Sequence, residues 1–266
     1  MEALFAQAYT LLPAKIAVGC FLALAVPPAG VIGRPFYSIG AAISFLLACV
    51  VVAATIRVRE LLSPVAFAGV LTWSAFSVSL ACYYRSLFSS SPSFRARTFP
   101  VALGLGMLAL SLSTFDLLSS RAVPARLILS LLPWTGAALS GAALGSMLLG
   151  HFYLVDQGLD PAILERMRRY CRACLVVEAT LVPVCFTVAL VAGAIGPARA
   201  RGSLLPLLAG RALTWGATAT LLALIGKTLK VPQPMAATGL FYICSLSVLV
   251  GEICGHWLLF RTGLPL

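Results

Sequence analysis

Acidic residues are scarce in this 266-residue chain. Asp and Glu number eight in all, and charged residues of either sign make up 10%, against about a quarter in an ordinary globular protein. With 61% of residues hydrophobic and a mean hydropathy of +1.01, too few polar side chains exist to cover a water-facing surface, so lipid must cover most of it. A soluble protein is excluded. The sequence also lacks a Walker loop, a dinucleotide glycine fingerprint, an H-E-x-x-H motif and a G-x-S-x-G elbow. ATPase, soluble-type dehydrogenase, zinc-protease and serine-hydrolase chemistry therefore has no foothold. The amino-terminal MEALFAQAYT has none of the positive charge of a secretory signal, so the first apolar segment is expected to be retained.

The net charge is +11, but the 19 Lys and Arg are scattered between apolar runs instead of forming one face. They read as membrane-edge anchors, and no nucleic-acid partner is expected. Of eight cysteines, Cys20, Cys49, Cys82, Cys185, Cys244 and Cys254 fall inside apolar segments, where a free thiol behaves as a small hydrophobe.

A bilayer core of about 30 Å needs roughly 20 helical residues. Cutting the chain where charge, Pro and Gly cluster gives eight such segments: 11–33, 36–56, 61–84, 99–118, 127–155, 173–196, 204–229 and 235–260. Backbone groups in hydrocarbon must pair internally, so long uncharged runs call for helices. The expected fold is all-α, a polytopic transmembrane bundle of eight helices forming a single integral membrane domain with no soluble domain. Pro27 and Pro28 should interrupt the first helix near its end, and Gly33-Arg34-Pro35 should turn it tightly into the second. Residues 161–170, in the loop 156–172, are expected to form a short interfacial helix. Helices one to four do not visibly repeat in five to eight.

Lys and Arg near helix ends set orientation. One face collects Arg34, Arg85, Arg95, Arg97, Arg166, Arg168, Arg169, Arg172, Lys227 and Lys230; the other collects Arg57, Arg59, Arg121, Arg126, Arg199, Arg201 and Arg261. The excess on the first places both termini on the non-cytoplasmic side of a cell inner membrane. The run of Arg166, Arg168, Arg169 and Arg172 is suited to anionic lipid headgroups.

An ionisable residue at bilayer depth costs about 2.5–3.5 kcal/mol on insertion scales, which makes each one a functional candidate. Reflecting Arg211 across the turn before Pro234 puts it level with Glu252 and His256, which share a helix face beside Gly251 and Gly255. Arg211, Glu252 and His256 form the first candidate site, as a working group or as a buried ion pair that fixes register. Lys15 and Asp116 lie toward the same face and could extend the group or reach the interface by snorkelling. His151 and Glu178, near the end of helix five and the start of helix six, form a second candidate pair. Cys171 and Cys174 make a C-x-x-C at an expected helix start beside arginines, the setting of a redox dithiol, although no second exposed pair exists to pass electrons on. The two histidines should sit at opposite faces, too far apart to ligate one haem. Met147 near His151 reads as packing. No metal and no cofactor within the chain are assigned.

The stretch Leu148-Leu-Gly-His-Phe-Tyr-Leu-Val155 resembles a segment of uncharacterised bacterial multi-pass membrane proteins; it covers about one helix and carries no activity with it. Eight helices with buried polar residues are also similar in outline to the quinone-interacting membrane subunits of polysulfide and nitrite reductase type complexes, an analogy of architecture alone. Three functions remain open. The first is a subunit of a respiratory or electron-transfer complex, with other membrane subunits as partners, which binds a quinone and handles its protons at the polar cluster. The second is a small proton-coupled secondary transporter. The third is a structural or assembly protein with no site of its own.

Overall fold

The computed structural model describes residues 2–28, 30–58, 64–89, 91–118, 127, 129–156, 158–191, 204–231 and 233–262. Arg59, Arg121, Arg126, Arg199 and Arg201, used above for orientation, lie outside them. Among the described residues the chain forms eight long helices and no strand. They are α1 (Glu2–Ala23), α2 (Arg34–Val58), α3 (Pro64–Ser86), α4 (Pro92–Leu117), α5 (Pro133–Val155), α6 (Pro161–Val191), α7 (Leu204–Lys230) and α8 (Pro234–Thr262). Seven are long and apolar enough to cross a bilayer; α1 contributes a shorter apolar stretch, Tyr9–Ala23. The outer surface is oily, with Leu46, Leu71, Val78, Leu213 and Leu246 all exposed. This is a polytopic membrane bundle.

Proline sets most of the starts. Five helices, α3, α4, α5, α6 and α8, begin on a proline, whose missing N–H is of no consequence in a first turn and whose φ is already helical. Three of those starts differ from the expected ones by at least six residues. Helix α4 begins at Pro92, and α5 at Pro133 after a turn. Helix α6 begins at Pro161, so the segment expected to lie along the interface is the first part of a continuous 31-residue helix. The α1 helix ends at Ala23, ahead of Pro27 and Pro28. Its last carbonyls are taken by tighter bonds from Leu24, Ala25 and Val26 to Phe21, Leu22 and Ala23. The connection to α2 is therefore residues 24–33 with Gly30 at φ +98°, not the tight Gly33-Arg34-Pro35 turn.

The packing order repeats. Helix α1 lies against α2 and α4, α2 against α3, and α3 against α4; in the same order α5 lies against α6 and α8, α6 against α7, and α7 against α8. The two four-helix halves meet where α1 crosses α5, with further contact of α1 to α8 and of α4 to α5. The same neighbour order in both halves is the pattern of an internal repeat. A trace survives in the sequence, contrary to the expectation of no visible repeat. Ala68-Gly69 followed by Leu71-Thr72-Trp73 in α3 is matched by Ala209-Gly210 followed by Leu213-Thr214-Trp215 in α7.

The crossing at the centre is backbone on backbone. A Cβ on Gly141 would land on the Gly19 main chain, and one on Gly19 would land on the Ala137 carbonyl. Around it α1 is enclosed, with Leu11, Ala14, Ala17, Val18 and Phe21 all buried. Overpacking a closed core costs about 1–3 kcal/mol even where side chains can yield, and here main chain would have to move. Gly141→Leu should therefore strip the protein of its cooperative thermal transition in mild detergent. Gly216→Leu, where an added Cβ meets open space, should melt as the unaltered protein does. Equal melting of the two variants would mean that the crossing is not close.

Candidate functional site

The site is a buried charge network contributed by four helices. Arg211 of α7 donates from Nη2 to Oε1 of Glu252 on α8 at 3.0 Å and, through the same nitrogen, to Oε1 of Glu178 on α6. Lys15 of α1 donates to the other Glu252 oxygen at 2.9 Å. Trp215, one turn beyond Arg211, donates its indole N–H to Glu178 at 3.3 Å and lies under the guanidinium, 5.4 Å from ring centroid to Cζ. Glu178 and Glu252 are 0% exposed, Arg211 3% and Lys15 5%. Two acids face two bases, so the formal charges cancel, as burial in a low-dielectric interior requires.

The backbone makes room for these groups. Gly136, near the start of α5, has no side chain where one would collide: a Cβ there would stand 2.8 and 2.9 Å from the Glu252 oxygens and 3.0 Å from Lys15 Nζ. Gly251 gives similar clearance to Thr214, whose Oγ1 a Cβ would approach to 2.6 Å. His256, 1% exposed, donates from Nδ1 to the Glu252 main-chain carbonyl at 2.6 Å. That bond assigns the proton to Nδ1 and leaves Nε2 with a lone pair. Glu178 Oε2, Arg211 Nε and His256 Nε2 have no hydrogen-bond partner among the described residues. The network is closed in charge but holds one free acceptor, one free N–H and one imidazole nitrogen able to take a proton.

The structure thus brings Arg211 and Glu252 together and sets His256 on the main chain beside them. It adds Lys15 as a full member, while Asp116 is half-buried on α4. It separates the second expected pair. His151 is exposed near the end of α5, where Nδ1 meets the Tyr242 hydroxyl at 3.2 Å, whereas Glu178 belongs to the Arg211 group. The reason is the true start of α6: counted from Pro161, Glu178 lies about 26 Å along the helix, past its middle instead of near the loop. Cys171 and Cys174 are likewise inside α6, not at its start, and both are buried, with the Cys171 thiol hydrogen-bonded to the free thiol of Cys244. All eight cysteines are free. No electron partner could reach this pair without opening the bundle. Among the described residues no three His, Cys, Asp or Glu side chains gather as metal ligands.

The basic run divides. Arg168 is held bidentately by Glu165 at 2.6 Å, donates to the Leu222 carbonyl at 3.3 Å and lies over Gly226, so it fastens α6 to α7. Arg166, Arg169 and Arg172 are exposed. Trp215 and Gly136 were not singled out from the sequence. The Leu-Thr-Trp repeat could have flagged Trp215, because it marks a position with a partner in both halves: Trp73 donates to Ser113 at 2.8 Å and Trp215 to Glu178.

Removing one member of a buried pair leaves an uncompensated charge, at about 3–5 kcal/mol. Lys15→Met and Glu252→Gln should each lower stability to SDS denaturation in mixed micelles by that order. The double variant should lose about 1–3 kcal/mol less than the sum; strictly additive losses would show that the two side chains do not interact. No protein-family model matches this sequence, and no curated protein and no solved structure matches it either.

Proposed function

We propose that this protein is a small proton-coupled membrane transporter in which the Lys15–Glu252 ion pair joins the two halves of the bundle. One observation carries the reading: the network spans the seam. Glu178, Arg211 and Glu252 all belong to the second half, and Lys15 belongs to the first. A proton placed on Glu252 would remove the charge that holds Lys15 and so loosen α1 from α8. Proton binding would then bias the position of one repeat against the other, which is what a proton-coupled carrier requires. His256, whose Nδ1 is fixed on the Glu252 carbonyl, supplies a nitrogen that can relay that proton.

Binding of a quinone at the same cluster is less well supported. A headgroup needs an opening, whereas Glu178, Glu252 and His256 are at most 1% exposed. None of the three cavities described for the bundle is lined by a member of the network.

In proteoliposomes of the full chain alone, an imposed proton gradient should drive accumulation of at least one solute from a panel of amino acids, sugars and organic ions. Glu252→Gln should abolish the dependence on the gradient. In single-cysteine chains that retain only Cys20, a buried residue of α1, Glu252→Gln should speed maleimide labelling several-fold. Absence of gradient-driven uptake together with unchanged labelling would reduce the network to a structural brace.

A further inference from the structure

Toward the end of the bundle at which α6 starts, with Arg166 about 18 Å along that helix from Glu178, lies a cavity of about 860 Å³. It is bounded by the 24–33 connection, the start of α2, the end of α3, the first turns of α4 and the first turns of α6. Three guanidiniums line it, those of Arg34, Arg95 and Arg166. Arg34 and Arg166 are exposed and stand at its mouth, and Arg95 is half-buried. Leu24, Ile32, Tyr37, Tyr83 and Leu87 are buried and line its depth.

The three arginines have no ion-pair partner among the described residues. Acids occur at this end of the molecule, but they are engaged elsewhere. Asp156 accepts from the Gly158 amide, Asp160 from the Ala162 amide, and Glu165 holds Arg168 and Arg169. The cavity is thus a concentration of positive charge with no internal counter-ion. Two helix N-termini add to it, because the walls include Gly33-Arg34 at the start of α2 and Pro92 at the start of α4. The α4 cap residue, Ser91, does not cap the first-turn amides; its hydroxyl pairs with that of Ser93 at 2.9 Å. Guanidinium forks and the first-turn amides of a helix are the two groups best matched to phosphate oxygens.

Charge alone would suit any anion, but the interior restricts the choice. Its depth is closed by Leu24, Leu87 and Phe99, with Phe99 stacked on Phe21 at 4.7 Å. The volume falls in the range of roughly 300–1,000 Å³ that encloses a drug-sized molecule, well beyond what a lone phosphate fills. We propose that this cavity binds a phosphate-bearing amphiphile, with the phosphate held by Arg34, Arg95 and Arg166 and the first part of its hydrocarbon chain laid against Leu24, Leu87 and Phe99. The proposal does not rest on the transport reading.

The test uses the full chain in a mild non-ionic detergent, followed by native mass spectrometry during titration with dioleoyl phosphatidic acid, dioleoyl phosphatidylcholine or inorganic pyrophosphate. Phosphatidic acid should bind at least tenfold more tightly than phosphatidylcholine. The Arg34→Gln/Arg95→Gln double variant should lose that preference, while Arg57→Gln, at the other end of α2, should keep it. Ala96→Trp, which fills the cavity without removing charge, should weaken phosphatidic acid binding tenfold or more. Pyrophosphate that displaces the lipid would identify the phosphate group as sufficient; pyrophosphate that does not would identify the lipid-anchored form as the ligand. Equal affinity for the two lipids, or full binding by Ala96→Trp, would overturn the proposal in favour of general surface attraction.

Discussion

A carboxylate with no exposed surface in a lipid-embedded bundle must find positive charge from within the protein. Glu252 finds it on both oxygens, Arg211 on one and Lys15 on the other. Three helices are thereby required to meet at one depth, and the remaining charge of the guanidinium draws Glu178, and with it α6, into the same group. The rotation of α1, α6, α7 and α8 about their own axes is fixed by these bonds more sharply than by apolar packing, which tolerates many registers when every helix is oily on all sides. Gly136 is part of the same constraint. Only a residue without a Cβ lets α5 pass so close to Glu252 and Lys15.

The helical bundle and the Arg211–Glu252 level were legible in the sequence because both follow from length and from reflection across one short turn. Consecutive helices joined by a few residues have little freedom, so depth in one transfers to the next. Lys15 could not be paired by the same logic. Its partner lies 237 positions away, and nothing in hydropathy says which non-consecutive helices are neighbours. The misplaced Glu178 has a different cause. The charged run Glu165 to Arg172 reads as an interfacial piece outside the span, yet Glu165 pairs with both Arg168 and Arg169 along one face of α6, and proline at 161 is a helix start. Composition outweighed capping in that reading, and the helix was cut short by more than three turns. The repeat was hidden by a single residue: one position separates Ala-Gly from Leu-Thr-Trp in α3, and two do in α7.

That extra residue falls where the halves diverge in chemistry. In the first half, Trp73 is fully buried, donates to a serine hydroxyl and packs edge-on against Phe76, which in turn meets Phe21 and, through it, Tyr83 and Phe99. In the second, the corresponding Trp215 serves a carboxylate, and Arg211 occupies the lengthened stretch just ahead of it. The first half carries an aromatic core and most of the arginine-lined cavity, and the second carries the two buried acids. Lys15 is the first half's only member of the network, which is why the seam passes through its ion pair.

The two regions are not mechanically separate, because α1 and α6 touch both. Helix α1 holds Glu252 through Lys15 and ends at the connection that forms one wall of the cavity. Helix α6 carries Arg166 near its start and Glu178 about 18 Å further along the same rigid rod. A ligand that drew Arg166 toward the cavity would tilt or slide α6 as a unit, and Glu178 would move with it against an arginine that bonds two acids through one nitrogen. By linkage the dependence runs both ways: any change in network charge that altered affinity at the cavity would be matched, factor for factor, by an effect of cavity occupancy on proton binding at the network.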